Sequence, residues 1–259
     1  QTLCFLICGF PVLIGFILPV MILVSFILQS NNLNTVHFLN KTFFNTLIIS
    51  LSCAIIIIII STFVSVISFY RLNKSGRFLA SLSAIGYAFP GTILAIGVLH
   101  FLAQMEFMFQ SAWLILFTQP YEAVLSGSFF VLIIAYLTRF NAVGYGSVTA
   151  GLEQIPRDLM FASQILGKHF TSSVGTVLLP NLWPAILAGG LLLFVDIMKE
   201  LPLTLLLRPL DFETFATITY QLAKSEMLEQ AAYPALCIVV SGLIPVVIAN
   251  IALSKIAEK

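Results

Sequence analysis

The chain has 259 residues, 59% of them hydrophobic and 9% charged, with a formal net charge of +1. A soluble domain carries about 25% charged residues, so a water-soluble fold is excluded and the bilayer is the expected solvent. The near-neutral balance leaves no basic surface for nucleic acid.

Six apolar stretches are long enough to cross ~30 Å of hydrocarbon at ~1.5 Å per residue. In chain order they cover 3–28, 43–69, 78–103, 123–140, 184–207 and 231–253. They predict an all-α membrane protein with six transmembrane helices in one domain, 1–259. The first stretch lacks a basic leader and a small-residue cleavage site, so it reads as a retained helix. The third contains Gly86, Pro90, Gly91 and Gly97. It is expected to kink at Pro90 and to pack closely through its glycines. The run 112–118 is too short to span and reads as a re-entrant or interfacial piece.

The fifth stretch carries Asp196, Lys199 and Glu200 at i, i+3 and i+4, one face of a helix, followed by Pro202. A charge at the bilayer centre costs ~2.5 kcal/mol or more. This mixed-sign cluster is therefore expected to face protein or water, either as a structural ion pair or as part of a path. The candidate path or gate residues are Pro90, Gly91, Asp196, Lys199, Glu200 and Pro202. Beyond them, Phe212, Phe215, Ile218, Tyr220 and Leu222 predict an amphipathic element, with its charges on a solvated face.

Lys and Arg placement sets the orientation. One side receives Arg71, Lys74, Arg77, Arg139, Arg157, Lys168, Lys255 and Lys259; the other receives Lys41, Arg208 and Lys224. The bias puts the polar stretch 141–180 in the cytoplasm. A connection that long is functional or disordered. This one keeps Leu152, Ile155, Leu159, Ala162, Ile165 and Leu166 at helical spacing, so it reads as a folded surface. A helix is expected to start around Pro156, Arg157 and Asp158. Two short helices are expected to join near Gly167, where a bend or a left-handed residue is needed.

Cys4, Cys8, Cys53 and Cys237 all fall in predicted spans and read as packing residues. His37, His100 and His169 are scattered, and no His/Cys/Asp/Glu cluster has metal-ligand spacing. No phosphate-binding loop, nucleophile elbow or zinc-protease motif is present. The chain is not expected to be an enzyme. If it transports actively, the energy must come from another chain or an ion gradient.

Gly167, nine residues, then Val177, Leu178, Leu179 and Pro180 resemble the G-x9-I-x-LP end of the "EAA" loop of permease subunits in ATP-binding-cassette (ABC) importers. Phe161, Ala162 and Ser163 stand where the family has Glu-Ala-Ala, so the leading Glu is missing. The resemblance implies a type I ABC importer permease fold. It further implies that Arg157, Asp158, Phe161, Ala162, Ser163, Gly167, Lys168, Val177, Leu179 and Pro180 belong to a coupling loop docking on an ATPase subunit. The stretch Phe194–Glu226, with KELPLTLLLRP at its centre, and YAFPGTILAIG at Tyr87–Gly97 are similar to ferric-iron importer permeases. Permeases for thiamine, phosphonate, polyamine and sulfate share the loop. The implied setting is a bacterial inner membrane, with ferric iron delivered by a periplasmic binding protein. ATP and Mg would sit on two cytoplasmic ATPase subunits, this chain would hold no cofactor, and a second permease half or copy would complete the pore. Ferric permeases commonly carry two such halves, so the chain is expected to be one of them, the C-terminal one. A secondary transporter would instead need poised intramembrane carboxylates or inverted repeats.

Overall fold

The computed structural model describes residues 2–29, 35–116 and 128–257, with side chains over 7–29, 40–110 and 128–247. The end of the run 112–118, the first residues of the expected fourth span and Lys259 lie outside the described residues. Cys4, His37 and Lys255 lie outside those whose side chains are described. Among the described residues the chain is helical with short turns and irregular connections, and no strand.

Helices α1 (Thr2–Val12) and α2 (Leu18–Gln29) form one span, joined by a π-helical turn at Leu13–Ile17. Pro11, which cannot donate to the ladder, precedes that turn. Then come α3 (Thr35–Tyr70), α4 (Lys74–Leu82), a 3₁₀ turn (Ile85–Ala88), α5 (Gly91–Leu116), α6 (Phe129–Gln154), α7 (Arg157–Ile165) and α8 (Phe170–Ser173). A second π turn (Val174–Leu178) leads into α9 (Leu179–Met198), followed by α10 (Pro202–Leu207), α11 (Phe215–Lys224) and α12 (Leu228–Ala257). Among the described residues six helical stretches are long and apolar enough to span: Ile7–Gln29, Asn40–Tyr70, Gly91–Gln110, Phe129–Gln154, Phe170–Met198 and Leu228–Val247. The chain is a multi-pass membrane protein.

The centre is α3, α6 and α9, packed pairwise. Lipid supplies no hydrophobic drive between helices, so close backbone approach must do this work. Gly144 lies against Ser61, Gly151 against Ala185 and Gly189 against Ser147. Asn141 is buried among them. Its Oδ1 accepts from Ser61 Oγ at 2.9 Å, and its Nδ2 donates to the Ser83 carbonyl and hydroxyl at 3.1 Å. One amide thus ties α3 and the end of α4 to α6, with its hydrogen bonds made internally.

Several boundaries differ from expectation. Helix α6 runs to Gln154, so residues 141–154 are membrane-length helix and not loop. The small residues that made this stretch look polar are those that let α3 and α9 approach. At the other end, the helix from Phe170 passes through Pro180 without stopping. The π turn shifts the ladder, with Leu179 N–H donating to the Val174 carbonyl, just before the residue that cannot donate. The connection between these two spans shrinks to 155–169. The fifth span ends at Met198, not at 207, with α10 a separate helix. Pro90 does not kink a continuous helix. Phe89 before it is extended at φ −85° and ψ 138°, as a residue preceding proline prefers. The Pro90 carbonyl accepts from Leu94 N–H at 3.1 Å, so Pro90 starts α5. Residues 112–116 continue α5 and are not a separate piece.

Candidate functional site

Two interruptions meet midway through the bundle: Phe89–Pro90 ahead of α5, and Lys199–Leu201 between α9 and α10. Helix α5 packs on α10, and both pack on α6. At Gly86 a Cβ would overlap the Thr138 carbonyl, so the 3₁₀ turn lies directly on the α6 backbone. At Gly91 a Cβ would overlap the Arg139 guanidinium and stand 3.1 Å from both Glu200 Oε1 and Pro202 Cβ. Gly91 is therefore the floor of an ion pair.

That pair joins Arg139 of α6 to Glu200 in the second break. Arg139 Nε lies 3.6 Å from Glu200 Oε2, with the side chains 18% and 8% exposed. Glu200 Oε1 accepts from Leu203 N–H at 3.3 Å, which satisfies one free amide at the start of α10. The Glu200 carbonyl accepts from Thr204 Oγ1 at 2.6 Å, and Thr204 Oγ1 shares a 2.5 Å hydrogen bond with the buried Tyr136 hydroxyl. Glu200 is well held. Arg139 is not: its buried Nε and Nη1 have no hydrogen-bond acceptor among the described residues. Its guanidinium carbon lies 5.9 Å from the Tyr87 ring centre and 5.8 Å from that of Phe140. Arg139 stands about 15 Å along α6 from Phe129 and about 22 Å from Gln154, at ~1.5 Å per residue.

The structure divides the expected Asp196, Lys199 and Glu200 cluster. Lys199 Nζ pairs with Asp196 Oδ1 at 2.8 Å, and Lys199 is 60% exposed. Glu200 leaves this face because the helix ends at Met198, and it turns to Arg139 instead. Pro90, Gly91, Glu200 and Pro202 do come together. The sequence reading assigned Arg139 to the cytoplasmic side as the charge closing a span ending at residue 140. In the structure it lies inside a spanning helix and marks neither side. The available signal was an Arg flanked by apolar sequence on one side and by helix-compatible small residues on the other.

A second constellation lies on the 155–169 connection. Helix α7 begins where expected, with Pro156 ahead of Arg157. Met160 and Ser163 are buried and anchor it, Ser163 Oγ lying 2.9 Å from Ser173 Oγ. Asp158, Leu159, Phe161 and Ala162 are exposed, and Ile165 and Leu166 are 85% and 84% exposed. Gly167 has φ +89°, a left-handed turn suited to glycine. Its N–H donates to the Gln164 carbonyl at 2.9 Å, and Lys168 Nζ donates to Thr176 Oγ1 at 2.9 Å. Arg157, Asp158, Phe161, Ala162, Ser163, Gly167 and Lys168 thus form one elbow. Val177, Leu179 and Pro180 sit on the following spanning helix and not on the elbow.

At the opposite end, α11 is capped reciprocally by Thr214 and Thr217. Phe212, Phe215 and Ile218 are buried, and Phe215 N–H donates to Thr46 Oγ1 of α3 at 2.9 Å. Glu213 is not part of a merely solvated face: it pairs with Arg208 and accepts from Thr217 Oγ1 at 2.6 Å.

No protein-family model matches the chain. It is 28% identical over 160 residues to the Fe(3+)-transport system permease protein FbpB 2 of Haemophilus influenzae, a match covering 62% of this chain and 28% of that relative. The chain thus spans well under half the length of this curated relative. Among solved structures it resembles a chain of a bacterial alginate ABC transporter in complex with an alginate pentasaccharide-bound periplasmic protein. The TM-score is 0.68 at 14% identity, covering 98% of this chain and 94% of that one. It also resembles a chain of a bacterial ABC transporter involved in alginate import, with a TM-score of 0.65 at 16% identity over 95% and 91%. Six spans, an elbow between the fourth and fifth, and these likenesses give the chain the fold of an ABC-importer permease subunit.

Proposed function

We propose that the chain is the transmembrane permease component of an ATP-driven importer in a bacterial inner membrane, and that its cargo is ferric iron. The observation that carries this is the elbow: α7 is anchored by Met160 and Ser163, turns back at Gly167, and holds Leu159, Phe161, Ile165 and Leu166 outward. A short stiff helix with an unburied apolar face suits docking in a partner's cleft. The partner would be the ATPase, bearing ATP and Mg, with two such subunits per transporter. A periplasmic binding protein would deliver cargo to the opposite face, and a second permease half or copy would close the pore. The path would run beside Pro90, Gly91, Asp196, Lys199, Glu200 and Pro202.

The cargo assignment leans on the KELPLTLLLRP stretch and on the ferric permease relative. Thiamine, phosphonate, polyamine or sulfate are the alternative cargoes, and a secondary transporter is the alternative mechanism. Reconstitution in vesicles with the ATPase and binding protein tests all of them. Ferric iron uptake should require ATP hydrolysis and should persist when the proton gradient is collapsed. Uptake that survives removal of the ATPase overturns the proposal. Uptake of one of the other solutes in place of iron overturns the cargo.

A further inference from the structure

Resting on the permease reading above, we propose that the Arg139–Glu200 pair is the latch of the translocation path: closed when the two are paired, and required to separate for cargo to pass. The pair sits where two helix interruptions converge, and interruptions are where a backbone can turn without breaking a helical ladder. Glu200 rides on the α9–α10 break and Arg139 on the continuous α6, so rotation at the break moves one charge relative to the other.

The pairing is also poorly made for a permanent staple. A static Arg–carboxylate pair is frequently bidentate, with N···O near ~2.8 Å. Here the contact is 3.6 Å, and Nε and Nη1 are buried without an acceptor. Hydrogen bonds from Leu203 and Thr204 fix Glu200, while the Tyr87 and Phe140 rings flank Arg139. Two further charges lie close by in the chain. Lys199 adjoins Glu200 in the chain, and Asp196 lies one turn before it, paired to Lys199 on a more exposed face. Gly91 leaves room for the closed arrangement, because a Cβ there would overlap Arg139 Nη1 and stand 3.1 Å from Glu200 Oε1.

The alternative is a fixed structural pair, and a reversible lock distinguishes the two. In the reconstituted complex, with Cys4, Cys8, Cys53 and Cys237 replaced by alanine, Arg139→Cys and Glu200→Cys are joined by a short bis-methanethiosulfonate reagent that cannot span the separated state. Dithiothreitol later cleaves the link. ATP-dependent uptake should fall roughly tenfold on joining and recover on reduction. Uptake unchanged by joining overturns the latch. The rate of joining gives a second readout that stands even where the double variant no longer transports. It should be roughly fivefold faster without nucleotide than with ATP and vanadate, and equal rates overturn the latch. Absence of ATP-driven uptake in the parent lacking only the native cysteines would count against the permease reading instead, so the two failures are distinguishable.

Discussion

The Arg157 guanidinium lies 4.5 Å from the centre of the Phe69 ring, at the end of α3. Two residues on from Phe69, Arg71 reaches back over Phe170 at 4.2 Å. Each partner thus lends one cation and one ring, and together they clasp both ends of the elbow to the same helix end. Such contacts contribute about 0.5–1 kcal/mol each at exposed sites, too little to hold the fold by themselves. If the elbow couples to an ATPase as proposed, Arg157→Ala and Arg71→Ala should lower cargo moved per ATP hydrolysed while shifting the melting temperature only slightly. Arg157→Lys should retain part of the coupling, since a lysine still places a cation near the ring. Paired uptake and ATPase assays measure the ratio.

Gly167 is held at φ +89° with open space around its Cα. A Cβ would meet no neighbour, so the penalty at this position is conformational. Gly167→Ala should cost about 1–2 kcal/mol, and Gly167→Asn less, because asparagine tolerates left-handed backbone. Proline fixes φ near −65° and would delete the N–H bonded to Gln164. Gly167→Pro should leave the six spans inserted while ATP hydrolysis continues without uptake. Normal transport by this variant would remove the elbow's coupling role.

Gly86 and Gly97 separate close approach from mere smallness. A Cβ at Gly86 would overlap the Thr138 backbone, which cannot move aside, whereas nothing lies within 4 Å of one at Gly97. Gly86→Ala should destabilise by about 1–3 kcal/mol or more and lower the yield of folded protein in detergent. Gly97→Ala should be neutral or slightly stabilising. Thermal-shift measurements on the two variants give the comparison directly.

The two ion pairs should behave oppositely when cut. Lys199→Ala removes a partner that is 60% exposed, so its stability cost should be smaller than that of cutting the buried pair, and on the permease proposal a loss of uptake beyond that cost would point to the path. Glu200→Ala strands a buried guanidinium that already lacks acceptors and should cost about 3–5 kcal/mol. The double variant Arg139→Met with Glu200→Gln should recover much of that stability, because no buried charge is left uncompensated. Unfolding curves in detergent rank the four proteins, and equal costs for the two single variants would show the burial argument to be wrong.

The elbow was readable from residue chemistry. Pro156 suits the start of a helix, Gly167 suits a left-handed turn, and both preferences act within a few bonds. Helix α6 was misjudged at its far end for a related reason. Gly144, Ser147 and Gly151 lower local hydropathy and so look like loop, yet they are the residues that admit Ser61, Gly189 and Ala185. A window average registers what a residue loses by leaving water and is blind to what it gains against a neighbouring helix. The same blindness made Arg139 look like the end of a span.

The number of spans and the place of the turn between the fourth and fifth belong to the chain taken segment by segment. Desolvation acts on each apolar run by itself, and proline and glycine act on their own dihedrals. The partner of each intramembrane charge is a different matter. Asp196, Lys199 and Glu200 share one face on paper, but α9 stops at Met198 and α6 offers Arg139, so Glu200 is drawn away. The energy of a charge in low dielectric depends on what stands within a few ångströms, and only the packed bundle determines that.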